Sequence, residues 1–190
     1  MGLLQGNYKG LFMNKALKIL KVLFFGVVVV FVLIVSFRVS KDIKKKLSYP
    51  NTYAIQNVKT GKDIRVHNAN YLDGTKIILY SHQNWECMTW ELIHLEDSTF
   101  LVKNLYTQKT FQPESTPKEG VTLWQQSMGG SRFQFWEFIK VPDEMYLIKL
   151  KDTDLYLTIS SDENNSPIVL QPKQNSTSQQ WKLVRQNPWK

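Results

Sequence analysis

Gln134-Phe135-Trp136-Glu137-Phe138-Ile139 reads as a strand entered on a tryptophan, with apolar side chains alternating about Glu137 as a half-buried sheet requires. The same pattern stands 46 residues earlier as Thr89-Trp90-Glu91-Leu92-Ile93 and 45 residues later as Gln180-Trp181-Lys182-Leu183-Val184. Self-similarity at a fixed period marks a repeat architecture. The segments upstream keep the same period. Thr52-Tyr53-Ala54-Ile55-Gln56-Asn57-Val58-Lys59-Thr60-Gly61-Lys62 matches Thr99-Phe100-Leu101-Val102-Lys103-Asn104-Leu105-Tyr106-Thr107-Gln108-Lys109 position for position, and Met145-Tyr146-Leu147-Ile148-Lys149-Leu150 keeps the aromatic-apolar-apolar opening.

Turn chemistry recurs in register with these strands. Asp73-Gly74, Glu119-Gly120 and Asn164-Asn165 each precede an apolar strand, and each second member lies 16 residues before its tryptophan. Such pairs supply the positive φ that tight turns need. Four short strands per copy predict an all-β domain of about twelve strands over residues 52–190, in repeats of about 52–97, 98–143 and 144–190. Three units that cannot bury their apolar faces alone must share one core. A tryptophan repeated at a strand start is first a packing residue, since it buries about 150–250 Å² and its N–H needs a partner.

Ahead of this domain the chain is of a different kind. Residues 22–37 contain no charge, and with residues 16–20 the apolar run is long enough to cross a hydrocarbon core about 30 Å thick as a helix. In lipid an unpaired backbone is costly, so such a run goes helical despite its many valines. The reading is therefore a basic tail over 1–15, a transmembrane helix over 16–37 and a basic juxtamembrane linker over 38–51. No small-x-small cleavage site follows the run, which favours an uncleaved signal-anchor over a signal peptide. Lysines flank both ends, so the positive-inside rule does not orient it. The usual layout of a short tail, an apolar run and a large domain puts the domain on the extracytoplasmic side of a single-pass cell-membrane protein. Met13-Asn14-Lys15 is a second plausible start, which would make residues 1–12 an extension.

The net charge of +8 resides wholly in that leader. Residues 1–50 carry nine Lys and Arg against Asp42, whereas the rest has 15 basic and 15 acidic residues. The repeat domain has no net field to steer phosphates, so nucleic acid is excluded as its partner. Cys87 is the single cysteine, which rules out an internal disulfide and a Cys-based zinc site. His67, His82 and His94 show no metal spacing, and no nucleophile elbow, phosphate loop or dinucleotide fingerprint occurs, so neither an enzyme nor a cofactor or metal is expected. Asp152-Thr153-Asp154 and Asp162-Glu163 read as solvated acidic turns that would hold calcium weakly at best. Asn164-Asn165-Ser166 and Asn175-Ser176-Thr177 fit glycosylation sequons.

Three copies of about 45 residues closing on Gln-x-Trp resemble the ricin B-type lectin family over residues 52–184. Trp90, Gln134, Trp136, Gln179 and Trp181 carry the motif, and the first copy departs from it with Met88 in place of the glutamine. The resemblance implies a β-trefoil, six strands in a short barrel and six in a hairpin cap, with at most one shallow sugar pocket per copy. The family's acidic sugar ligand falls on Arg65, Gln112 and Thr158, its stacking aromatic on Tyr80, Gln126 and Gln171, and its amide on Cys87, Phe133 and Ser178.

These substitutions leave the first copy as the place for a surviving site, with Arg65, Tyr80, His82 and Asn84 as its carbohydrate-binding residues. The planar fork of Arg65 suits an acidic sugar or a phosphate. Two functional classes follow: a membrane-anchored, non-catalytic lectin for a carbohydrate or glycoconjugate, or a membrane-anchored protein-interaction module that uses the trefoil as scaffold. Exposed tryptophans would favour the second, and Trp85, Trp124 and Trp189 are its candidates.

Overall fold

The computed structural model describes residues 3–47 and 51–188 and divides into two compact units, residues 1–48 and 49–190. The first is one helix, α1 (Leu3–Leu47). Its Leu17–Ser40 segment has a mean hydropathy of 3.0 and none of it is buried within the structure. At 1.5 Å per residue those 24 residues reach about 36 Å. Length and composition suit a membrane span, and they equally suit a signal sequence. The helix does not stop at the expected span: it takes in most of the tail and continues through the basic stretch to Leu47. Lysine and leucine are good helix formers, and no proline or glycine interrupts residues 27–47. The Tyr49-Pro50 break lies outside the described residues.

The second unit is all-β. Twelve strands follow the repeat: β1 (Thr52–Asn57), β2 (Asp63–Val66), β3 (Ile77–Tyr80) and β4 (Trp90–Glu96) in the first; β5 (Thr99–Asn104), β6 (Thr110–Pro113), β7 (Leu123–Gln126) and β8 (Phe135–Val141) in the second; β9 (Met145–Leu150), β10 (Leu155–Ile159), β11 (Ile168–Pro172) and β12 (Gln180–Arg185) in the third. The outer strands of each repeat form a closed antiparallel ring, β1-β4-β5-β8-β9-β12, in which β12 returns to pair with β1. The inner strands form three hairpins, β2-β3, β6-β7 and β10-β11. This is the expected β-trefoil, a six-stranded barrel closed at one end by a hairpin triplet.

Threefold bonding holds the hairpins together. Gly74 N–H donates to Gln125 O at 2.9 Å, Gly120 N–H to Leu170 O at 2.8 Å, and Asn165 N–H to Leu79 O at 2.8 Å. All three donors sit at positive φ (80°, 80° and 68°), which glycine adopts freely and asparagine tolerates. The repeated turn pairs are thus the joints of the cap.

Trp90, Trp136 and Trp181 are fully buried in the shared core. Each donates its indole N–H to a carbonyl of its own repeat's second strand: Ile64 O at 3.2 Å, Phe111 O at 3.4 Å and Leu157 O at 3.0 Å. Phe111 lies between two of them, edge-on to Trp90 at 5.3 Å and tilted against Trp136 at 4.9 Å.

Candidate functional site

The tryptophan bonds place Arg65, Gln112 and Thr158 at equivalent positions, each one residue past the accepting carbonyl. In the second repeat Gln134 donates through Nε2 to Gln112 Oε1 (3.0 Å) and Ser127 O (3.0 Å), and its Oε1 accepts from Gly129 N (3.1 Å). In the third, Gln179 makes the same set with Thr158 Oγ1 (2.9 Å), Pro172 O (2.9 Å) and Gln174 N (2.7 Å). The motif glutamines therefore hold the side chains at these two positions.

The first repeat is built differently. Met88 is fully buried where the glutamine would be, and a thioether has no N–H to give. Gln186, past the end of β12, takes over its loop-holding work: its Nε2 donates to Gln83 O at 3.0 Å and its Oε1 accepts from Thr89 Oγ1 at 2.7 Å. Arg65 is left outside this network. Its guanidinium stacks 4.5 Å from the Tyr80 ring centroid and 5.4 Å from that of Trp85, and its Nε is buried without a hydrogen-bond partner.

Arg65 lines a cavity of about 530 Å³ together with Tyr71, Trp85, Glu86, Cys87 and Tyr106. That volume is within the range of small-molecule sites. Tyr71 and Tyr106 come from different repeats and stack with centroids 4.7 Å apart; they remain 51% and 37% exposed, and Trp85 37%. Donating its hydroxyl to Tyr106 holds the Tyr71 phenol above its ordinary range. Burial likewise pushes the Cys87 thiol up, with Arg65 beside it acting in opposition, so the thiol stays protonated at neutral pH.

Of the four residues expected to converge, Arg65 and Tyr80 stack on each other, while His82 and Asn84 are turned to other partners. His82 Nδ1 lies 2.7 Å from Oδ2 of Asp63, a buried carboxylate whose Oδ1 accepts from Gln56 Nε2 at 3.2 Å. Burial pushes Asp63 up to about 6, against the lowering effect of His82. Asn84 Nδ2 donates to Asn187 O at 3.1 Å, bracing the loop against the end of the chain. Tyr71, Glu86 and Tyr106 were not among the expected site residues. The only sequence signal for the two tyrosines is an aromatic ring outside the strands, which composition does not separate from ordinary half-buried tyrosines, and Glu86 gives none.

The other candidates settle into structural places. Trp124 packs along Gly74, and Trp189 lies outside the described residues. Asp162 pairs with Lys59 at 2.8 Å and straps the third repeat to the first. Among the described residues no group of three His, Cys, Asp or Glu side chains is placed to hold a metal ion.

The cavity thus offers a ligand three aromatic rings and a guanidinium held against two rings. No protein-family model matches the chain, and no curated protein sequence matches it either. Solved structures do. The designed threefold-symmetric protein ThreeFoil superposes with a TM-score of 0.68 at 23% identity, over 70% of this chain and 98% of that one. The Macrolepiota procera ricin B-like lectin, in complex with lactose, gives 0.62 at 20% identity, over 71% and 95%. The C-half of the earthworm R-type lectin, in complex with GalNAc, gives 0.56 at 16%, over 71% and 98%. At such identities the likeness is one of fold: this chain carries a β-trefoil similar to those of the ricin B-like lectins.

Proposed function

We propose that the trefoil is a non-catalytic carbohydrate-binding module, anchored in a membrane by α1 and taking a saccharide in the first-repeat cavity. One contrast carries this reading. The reader positions of the second and third repeats are filled by internal hydrogen bonds, whereas the first presents an open cavity with exposed aromatic rings and a clamped polar group. Sugar recognition asks for that combination, an apolar ring face to stack on and fixed polar groups for the substituents. The lactose and GalNAc complexes of the two lectins above lend the fold-level support.

Glycan-array screening of the full chain in detergent micelles tests it. Saturable binding that Tyr71→Ala and Trp85→Ala abolish supports the reading, and failure of a folded chain to bind any glycan rejects it. The anchor is tested separately, by carbonate extraction from membranes, and its N-terminus-inside orientation by digestion of the trefoil with protease added outside intact cells.

A second reading has one observation in its favour. Leu72, which follows Tyr71 in the chain, is 69% exposed, and a scaffold for a protein partner would use exposed apolar side chains of this kind. Loss of all glycan binding together with retained folding is the outcome that favours it.

A further inference from the structure

Resting on the saccharide-binding reading of the first-repeat cavity, we infer that its ligand bears an anionic substituent, a carboxylate or a sulfate ester, and that Arg65 is the residue that selects it. The inference comes from what is missing around a cation. At the two equivalent positions the side chains are neutral and held by a motif glutamine, Gln112 by Gln134 and Thr158 by Gln179. At the third, Met88 withholds that bond and the side chain is a permanent cation. Among the described residues no carboxylate forms an ion pair with Arg65. Asp63, two residues before it, is committed to His82 and Gln56. Glu86, which lines the same cavity, is engaged in an interaction of its own.

The clamp decides how the charge is presented. Tyr80 and Trp85 lie against the guanidinium and its Nε is buried, which leaves the terminal N–H groups, at the edge of the plane, to meet a ligand in the cavity. A guanidinium only donates, and it pairs best with two coplanar oxygens of an anion. A sugar hydroxyl uses one such donor and brings no charge to meet the cation. A carboxylate or sulfate uses two and neutralises it. Side-chain entropy has already been lost to the stack, so binding need not fix a free arginine.

The full chain in detergent micelles is titrated calorimetrically with a neutral oligosaccharide that binds on the array, with its uronic-acid and sulfated counterparts, and with inorganic sulfate. Wild type, Arg65→Gln and Arg65→Lys are compared after their melting curves show a folded trefoil. The expected result is an affinity at least about tenfold higher for the acidic forms. Arg65→Gln removes that preference, and Arg65→Lys recovers only part of it. Wild-type affinity for the acidic forms falls with added salt while neutral binding does not, a readout that needs no variant. Equal wild-type affinities for neutral and acidic forms, or a preference that survives Arg65→Gln, overturn the role of Arg65 and leave the saccharide site standing. Inorganic sulfate binding as tightly as the sulfated sugar also overturns it, as a site for the ion alone. Absence of binding to every glycan takes down both readings.

Discussion

Thr89 Oγ1 donates to Gln186 Oε1 at 2.7 Å across 97 residues of chain, and joins the first repeat's tryptophan strand to the segment that follows the last strand. Gln186 is buried, and its backbone also pairs with Thr52 in both directions. The residue that completes the first repeat is therefore borrowed from the far end of the sequence.

Gln186→Ala leaves the Gln83 carbonyl without its side-chain donor and is expected to destabilise the trefoil by about 1–3 kcal/mol. Urea denaturation followed by tryptophan fluorescence measures it. Combined with Thr89→Val the losses should be less than additive, as for two halves of one bond; strict additivity would show that the pair is not coupled.

The tryptophans divide into two functional groups. Trp136→Ala removes a fully buried ring and its bond to Phe111 O, and is expected to cost about 3–5 kcal/mol. Trp85→Ala, at a partly exposed ring, should cost well under half as much while abolishing glycan binding. A Trp85 variant that binds normally would remove that ring from the site.

Asp63 gives stability a pH dependence of unusual sign. Its folded carboxyl titrates at about 6 against 3.8 when exposed, so the native state holds a proton that the unfolded chain has lost between those values. Stability from this group is complete below about pH 4 and is lost as pH rises through 6, by up to roughly 3 kcal/mol. Denaturation midpoints from pH 4 to 7 should fall in wild type by more than in Asp63→Asn. A flat difference between the two proteins would exclude Asp63 as the source.

Gly120→Ala isolates the backbone cost of the cap joint. Nothing lies within 4 Å of the added Cβ, so the loss of about 1–2 kcal/mol comes from the positive φ alone. Asn165→Gly, at the equivalent joint of the third repeat, should be neutral or slightly stabilising. Thermal melts of both variants check the pair; an unchanged Gly120→Ala melt would mean that the joint can relax.

Much of the fold was legible because repetition exposes itself. The tryptophan period and the Gly74, Gly120 and Asn165 turns appear in the sequence at the intervals at which the structure uses them, since both answer to local strand and turn chemistry. The site was legible only in part. Arg65 and Tyr80 face each other because adjacent strands fix them, and that much follows from the pattern. Tyr71 meets Tyr106 across a repeat boundary, and Gln186 substitutes for a motif residue it neither resembles nor neighbours. His82 was expected at the ligand but serves a buried aspartate, a need that no spacing announces. The helix outran its expected ends because the residues flanking the apolar run are themselves helix formers.

The closed ring bears on how the protein is made. β1, the first strand of the trefoil, finds its longest partner in β12, the last, with five register pairs from Tyr53↔Arg185 to Asn57↔Trp181. During synthesis β1 and β9 thus wait with an open edge until β12 has left the ribosome. A nascent chain stopped short of β12 would display two unsatisfied strand edges, the surfaces on which sheets recruit one another. Termination ahead of β12 should accordingly yield an aggregating product rather than a shortened working one.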